Sequence, residues 1–313
     1  MRVDLKFETQ LVAELPALAW LLSVSSRPQH ARLLHGRSVA ASEEGYAEGA
    51  WDGPYSLASL RDARLVVGSG SWVEGSTVRI RTSSHTLERI WLINQSGTTW
   101  ASNSLPLLLA GTGCSMDPRY VHYEADFLSF CLGPRRMRRR VPLASSTTLQ
   151  QFTDCTISIT PGQDPGIEQN SWAQAYSTFG DYRADLRRMG QSIMENAKAS
   201  TRPRTYEALA TVSRGYDSPA CAVLARECGA TQAFTFSAAR AGFSSSDDDG
   251  SEIGQALNMA VTRLDRHAYR LGDGSAEAMF LASGGGGEDV VFAAAETLLA
   301  GSVVFTGFLG DTM

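Results

Sequence analysis

The stretch best equipped for chemistry is Ala210-Thr-Val-Ser-Arg-Gly-Tyr-Asp-Ser-Pro-Ala220, where an apolar strand runs into a turn and directly into a helix. Ser218 is a favoured N-cap type, Pro219 falls where a helix tolerates proline best, and Gly229 closes the same helix as a C′ glycine. The unpaired amides at such a helix start carry partial positive charge and face the end of the preceding strand. Ser213, Gly215 and Ser218 add hydroxyls or close backbone approach, so the turn suits a phosphate group. Asp217 would repel that phosphate unless a cation stands between them, and a magnesium ion shared by Asp217 and a polyphosphate removes the conflict. The plain alternative is a cap and turn with no ligand.

Other candidates are weaker. Asp311, after a buried strand and Thr306-Gly307, is placed as a second metal ligand, against the alternative of a solvated loop carboxylate. The run Arg135, Arg136, Arg138, Arg139 and Arg140 reads as a solvated turn rather than a nucleic-acid footprint, because it stands alone on an acidic chain. Gly284 to Gly287 lacks both the preceding strand and the following Lys-Ser/Thr of a phosphate loop, and reads as a hinge. Asp247 to Asp249 are a candidate cation site, set against the preferred reading as caps and charges at the start of a helix from Ser251. His30, His35, His85, His122 and His267 have no ligand spacing. Ser213 lacks the G-x-S-x-G surroundings of a hydrolytic nucleophile.

The elements that must position these residues follow from composition and pattern. With 313 residues, 43% hydrophobic and 19% charged, the chain can bury two cores without disulfides or metals. Its net charge of −5 argues against a general attraction to nucleic acid. Five cysteines with no C-x-x-C pair argue against a disulfide framework and point to a reducing cytoplasm. The apolar stretch Leu11 to Val24 contains Glu14 and Pro16 and reads as core, so no membrane association is expected. Up to about Thr160 the pattern is strand-rich, with strands expected at Ala63 to Val67, Ser76 to Arg81, Arg89 to Asn94 and Thr156 to Thr160. Helices are expected at Leu105 to Ala110 and Tyr120 to Leu132, and Pro161 to Gly166 reads as a linker.

Beyond it, apolar residues recur at helical spacing from Ala173 to Ala199, interrupted by Gly180, predicting one or two helices. Strand and helix then alternate: Tyr206 to Val212, Pro219 to Cys228, Gln232 to Phe236, Ser251 to Leu257, a short apolar piece at Val261, Glu288 to Leu299 and Ser302 to Thr306. That alternation predicts an α/β fold, a parallel sheet with helices on its faces. The expected domains are 1–165, strand-rich α+β, and 173–313, α/β.

Ser213-Arg-Gly-Tyr-Asp-Ser218 resembles the S-G-G-x-D-S pyrophosphate loop of the N-type ATP pyrophosphatases, in particular the synthetase domain of asparagine synthetases and their relatives. Val303-Val-Phe-Thr-Gly-Phe-Leu-Gly-Asp311 resembles the strand and loop that reads S-G-E-G-A-D-E in that family, in the same order along the chain. Ala101 to Leu109 and Gly133 to Gly162 look like the end of its amidotransferase-type N-terminal domain. The resemblance implies a Rossmann-like PP-loop sheet with helices on both faces, ATP and Mg²⁺ as ligands, and an ATP-dependent, AMP-forming ligase that makes an acyl-adenylate for amide formation. It places Ser213, Arg214, Gly215, Tyr216, Asp217, Ser218, Phe236, Ser237, Thr306 and Gly307 at the nucleotide, and Asp217 and Asp311 at the metal.

The implied partners are a small-molecule or peptide carboxylate and an amine acceptor. Alternatives are a peptide-cyclising or nucleoside-modifying relative, or a nucleotide-binding protein without turnover. The departures from the family pattern carry consequences. Arg2 stands where glutamine-using members have cysteine, so no glutaminase activity is expected and the first domain serves as a scaffold, as in beta-lactam synthetases. Arg214 replaces a loop glycine and either assists pyrophosphate or obstructs it. Phe308 replaces the glutamate expected to act as general base, and the family continues well beyond the position of Met313, so the second domain is expected to be incomplete.

Overall fold

Short β-branched and aromatic runs, separated by turns rich in Gly, Ser and Asp, fold the first half of the chain into strands. The structure, a computed structural model, describes residues 5–27, 29–133, 136–170, 174–238, 248–268, 292 and 294–307. Of these, 5–51 and 55–170 form one compact unit, and 52–54 with 174–307 form a second.

The strands of the first unit are β1 (Phe7–Leu11), β2 (Trp20–Ser26), β3 (Gln29–His35), β4 (Ala40–Ala41), β5 (Gly45–Ala47), β6 (Ala50–Trp51), β7 (Val66–Val67), β8 (Gly70–Glu74), β9 (Thr77–Arg81), β10 (Ile90–Gln95), β11 (Thr98–Ser102), β12 (Arg140–Pro142), β13 (Thr148–Phe152), β14 (Cys155–Ile159) and β15 (Gly166–Gln169). Its helices are α1 (Leu57–Asp62), α2 (Leu105–Thr112) and α3 (Tyr123–Leu128). One sheet runs β1-β3-β2-β11-β10-β13-β12, antiparallel apart from the β1 and β3 pair, and another runs β15-β14-β9-β8-β5-β4. Trp20, Leu22, Leu33 and Leu92 of the first sheet meet Tyr46, Val78, Ile80 and Ile157 of the second in one buried cluster, the packing of a β-sandwich.

Two sequence expectations are corrected here. Ala63 to Val67 is not one strand: α1, with Ser56 capping Ser59 N, ends at Ala63, and only Val66–Val67 pairs. Pro161 to Gly166 is a hairpin turn rather than a linker. Gly162 takes φ 79°, and the chain returns as β15 to pair antiparallel with β14.

In the second unit α4 (Phe179–Ala197) begins at Thr178, whose side chain accepts from Asp181 N. Gly180 therefore lies in the first turn and interrupts nothing. Then follow β16 (Glu207–Thr211), α5 (Asp217–Glu227), β17 (Gln232–Phe236), α6 (Ser251–Ala256), β18 (Ala260–Leu264), α7 (Glu296–Leu299) and β19 (Ser302–Phe305). Residues 288–291 and 293 of the helix expected from Glu288 lie outside the described residues.

The four strands form a parallel sheet in the order β18-β17-β16-β19, with Ala210 opposite Ala233 on one side and Phe305 on the other. One face buries Leu209, Phe234 and Phe236 against the partly buried Phe292, Leu298, Leu299 and Val304, and β19, expected as a buried strand, is half-buried throughout. On the other face Gly254 lets α6 approach Val261, and Gly190 brings α4 beside the Phe305 ring. The chain leaves β16 for β17 on one side while β19 lies on the other. The strand order thus reverses at β16, and in open α/β sheets ligands bind outside the carboxyl ends of the strands at such a point. No helix among the described residues is long and apolar enough to cross a membrane.

Candidate functional site

Parallel pairing makes β16 and β19 deliver their following loops to the same edge of the sheet, and the Thr211 hydroxyl donates to Phe305 O at 3.5 Å where the two strands end. After β16 the turn is braced internally: Ser213 Oγ accepts from Gly215 N at 3.3 Å and shares a 2.7 Å hydrogen bond with Ser218 Oγ. Ser218 is not the N-cap. The helix begins at Asp217, two residues earlier than expected, and Tyr216 holds the capping position with no side-chain capping bond of its own. The two serines bond each other instead of capping the helix. The C-terminus of α5 closes as expected, with Gly229 at φ 94° donating to Arg226 O and Ala230 N to Ala225 O, a Schellman motif.

Two glycines bring other loops against this turn. A Cβ on Gly307 would lie 2.5 Å from Asp217 C and 2.6 Å from Ser218 N, so the segment after β19 passes directly over the start of α5. A Cβ on Gly250 would lie 2.6 Å from Ser213 N, and Gly250 N donates to the buried Thr235 hydroxyl at 2.9 Å. Three loops therefore converge on Ser213–Ser218: its own, the one ending at Gly250, and the one carrying Thr306 and Gly307.

The exposed residues of the turn are Arg214, Gly215, Asp217 and Tyr216, the last 96% exposed. The Asp249 carboxylate accepts from Ser251 N and from the Ser251 hydroxyl, and pairs with Arg263 Nε at 2.8 Å. The Ser251 hydroxyl, with help from Arg263 and Arg214, holds its carboxyl below the usual range. Asp248 pairs with Arg266 at 3.2 Å, and the Arg266 guanidinium lies 4.6 Å above the Phe236 ring. The Phe236 ring is committed to the core, edge-on to Phe234 and Phe292, and the exposed group at that strand end is Ser237. Phe308 and Asp311 lie outside the described residues.

Gly250, Thr235 and Arg263 belong to the neighbourhood of this turn with no mark of it in the sequence, and Asp249, whose sequence reading is a charge at a helix start, joins them. The signal for Gly250 was a glycine immediately after an acidic run, which reads equally well as a helix start. The arrangement suits a polyphosphate: oriented amides, two hydroxyls and a cation on one short turn. An exposed carboxylate in that first turn is the type of hard ligand Mg²⁺ takes together with phosphate oxygens, so Asp217 fits a magnesium nucleotide. Among the described residues no three acidic, His or Cys side chains gather into a metal cluster of their own. No protein-family model and no curated protein matches the chain.

Proposed function

We propose that the chain is an ATP-dependent ligase of the asparagine-synthetase-like class. A substrate carboxylate attacks the α-phosphorus of ATP, pyrophosphate leaves, and the acyl-adenylate is captured by an amine with release of AMP. The observation that carries this reading is the close approach of Gly307 to Asp217 and Ser218, which joins the two sequence motifs at the reversal point of a parallel sheet. Ser213, Gly215, Ser218 and the first-turn amides of α5 hold the pyrophosphate, and Thr306 and Gly307 flank it. Asp217 would hold Mg²⁺, with Asp311 as its second carboxylate by resemblance; when bound, the ion neutralises charge on the leaving pyrophosphate. Ser237 and the backbone at Phe236 border the base. The reading includes a cytoplasmic location, a small-molecule or peptide carboxylate and an amine as partners, and a first unit that is a scaffold without glutaminase activity.

Arg214, in place of a loop glycine, favours as a second reading a nucleotide-binding protein without turnover. Calorimetry with Mg-ATP and a pyrophosphate-release assay over candidate acids separate the two. Binding with acid-dependent release supports the ligase, binding with no release from any acid supports the second reading, and no binding at millimolar Mg-ATP removes both.

A further inference from the structure

Gly250 packs its backbone against Ser213, so the residues on either side of this contact, Asp249 and Arg214, are held in neighbouring loops. Asp249 is itself fixed: its carboxylate is bonded to Ser251 N at 2.9 Å and to Arg263 Nε at 2.8 Å, and Gly250 N is anchored to Thr235. Arg214 belongs to a short exposed turn with a long, flexible side chain. Among the described residues nearby, Asp248 is paired with Arg266, and Asp217 in the first turn of α5 is exposed. The fixed Asp249 carboxylate beside the turn and an anion bound on the turn are two competitors for the Arg214 guanidinium.

We infer that Asp249 is a positioning residue: it draws the Arg214 guanidinium to its own loop when no anion is bound, and a polyphosphate on the turn takes Arg214 from it. This rests on the nucleotide reading above. Arg263 tunes the exchange, because it shares the Asp249 carboxylate and weakens its hold on Arg214. The alternatives for Arg214, assistance or obstruction, become two positions of one side chain.

The test is titration of the full chain with magnesium pyrophosphate and with Mg-ATP. Asp249→Asn should tighten binding about two- to fivefold, the range of a solvent-exposed ion pair. Arg263→Met, which leaves Asp249 with Arg214 as its cation, should weaken binding by a similar factor. Both effects should vanish on an Arg214→Met background. If Asp249→Asn tightens binding equally without Arg214, plain repulsion of the anion explains it and the inference is overturned; no change in either single variant overturns it too. If the wild type binds neither ligand, the nucleotide reading fails by itself. The Arg214 to Asp249 coupling is then read without ligand, by NMR titration of the Asp249 carboxyl. Arg214→Met should raise its pKa, and an unmoved pKa overturns the inference.

Discussion

Asp217 is exposed, and a carboxylate so close to a proposed phosphate site demands a cation. Replacing it with Asn keeps the shape and removes the charge, so Mg-ATP binding should weaken by roughly 2 to 4 kcal/mol, about thirtyfold to nearly a thousandfold. The midpoint of thermal unfolding without nucleotide should move little, since a first-turn carboxylate contributes only about 0.3 to 1 kcal/mol to its helix. Equal affinity in calorimetry would reduce Asp217 to a turn residue. Gly307 makes a complementary prediction. The Cβ of Ala would meet backbone atoms of Asp217 and Ser218, which cannot rotate away, so Gly307→Ala should cost about 1 to 3 kcal/mol in urea unfolding and also weaken Mg-ATP binding. A fully stable, fully binding variant would mean that the approach is looser than the geometry requires. At this scale the local sequence announced the turn, because strand, turn and helix signals are consecutive. It could not announce Gly250, whose contact with Ser213 spans 37 positions and depends on the return path of the chain.

At the scale of elements, legibility followed length and burial. The strand at Gln232 to Phe236 and the helix start at Leu105 coincide with their expected positions, since each has a strong pattern and a clear stop. β18 read only as an apolar piece at Val261 because it is an edge strand with three exposed residues of five, and its pattern is diluted accordingly. α1 was missed because six residues carry too little periodicity, and Pro161 to Gly166 misled because the same residue types make hairpin turns and linkers. The end of α5 offers a test of how far local chemistry sets an element. Gly229 sits at φ 94°, where a Cβ is strained even though no neighbour lies within 4 Å of it. Gly229→Ala should therefore lower stability by about 1 kcal/mol through the backbone alone, read as a shift in the urea midpoint with an unchanged slope. Gly229→Asn should lose less, because Asn tolerates the left-handed region better.

For the whole molecule, alternating pattern foretold a strand-rich half and a parallel half, but which residues become enclosed depends on how sheets meet. Glu48 is the clearest case. Nothing in Gly45-Tyr-Ala-Glu-Gly49 marks it as buried, yet it is 8% exposed, with Ser69 Oγ and Trp20 Nε1 donating to its carboxylate. Burial, reinforced by the Glu88 carboxylate, pushes its pKa up from 4.5 to about 8, while the neutral donors of Ser69, Trp20 and Asn103 pull only partly the other way. The folded chain therefore binds this proton more tightly than the unfolded chain does. Its stabilising effect is complete below the unfolded value and is lost as pH rises toward and through the folded one, as much as about 3 kcal/mol by pH 7 and about 5 above pH 8. Gln at this position copies the protonated acid in shape and hydrogen bonding and cannot ionise. Glu48→Gln should thus be close to wild type near pH 5, increasingly more stable than wild type toward pH 8, and flatter in its dependence between them. Urea unfolding at several pH values measures the difference, and parallel curves for the two proteins would show that Glu48 is charged in the folded chain despite its burial.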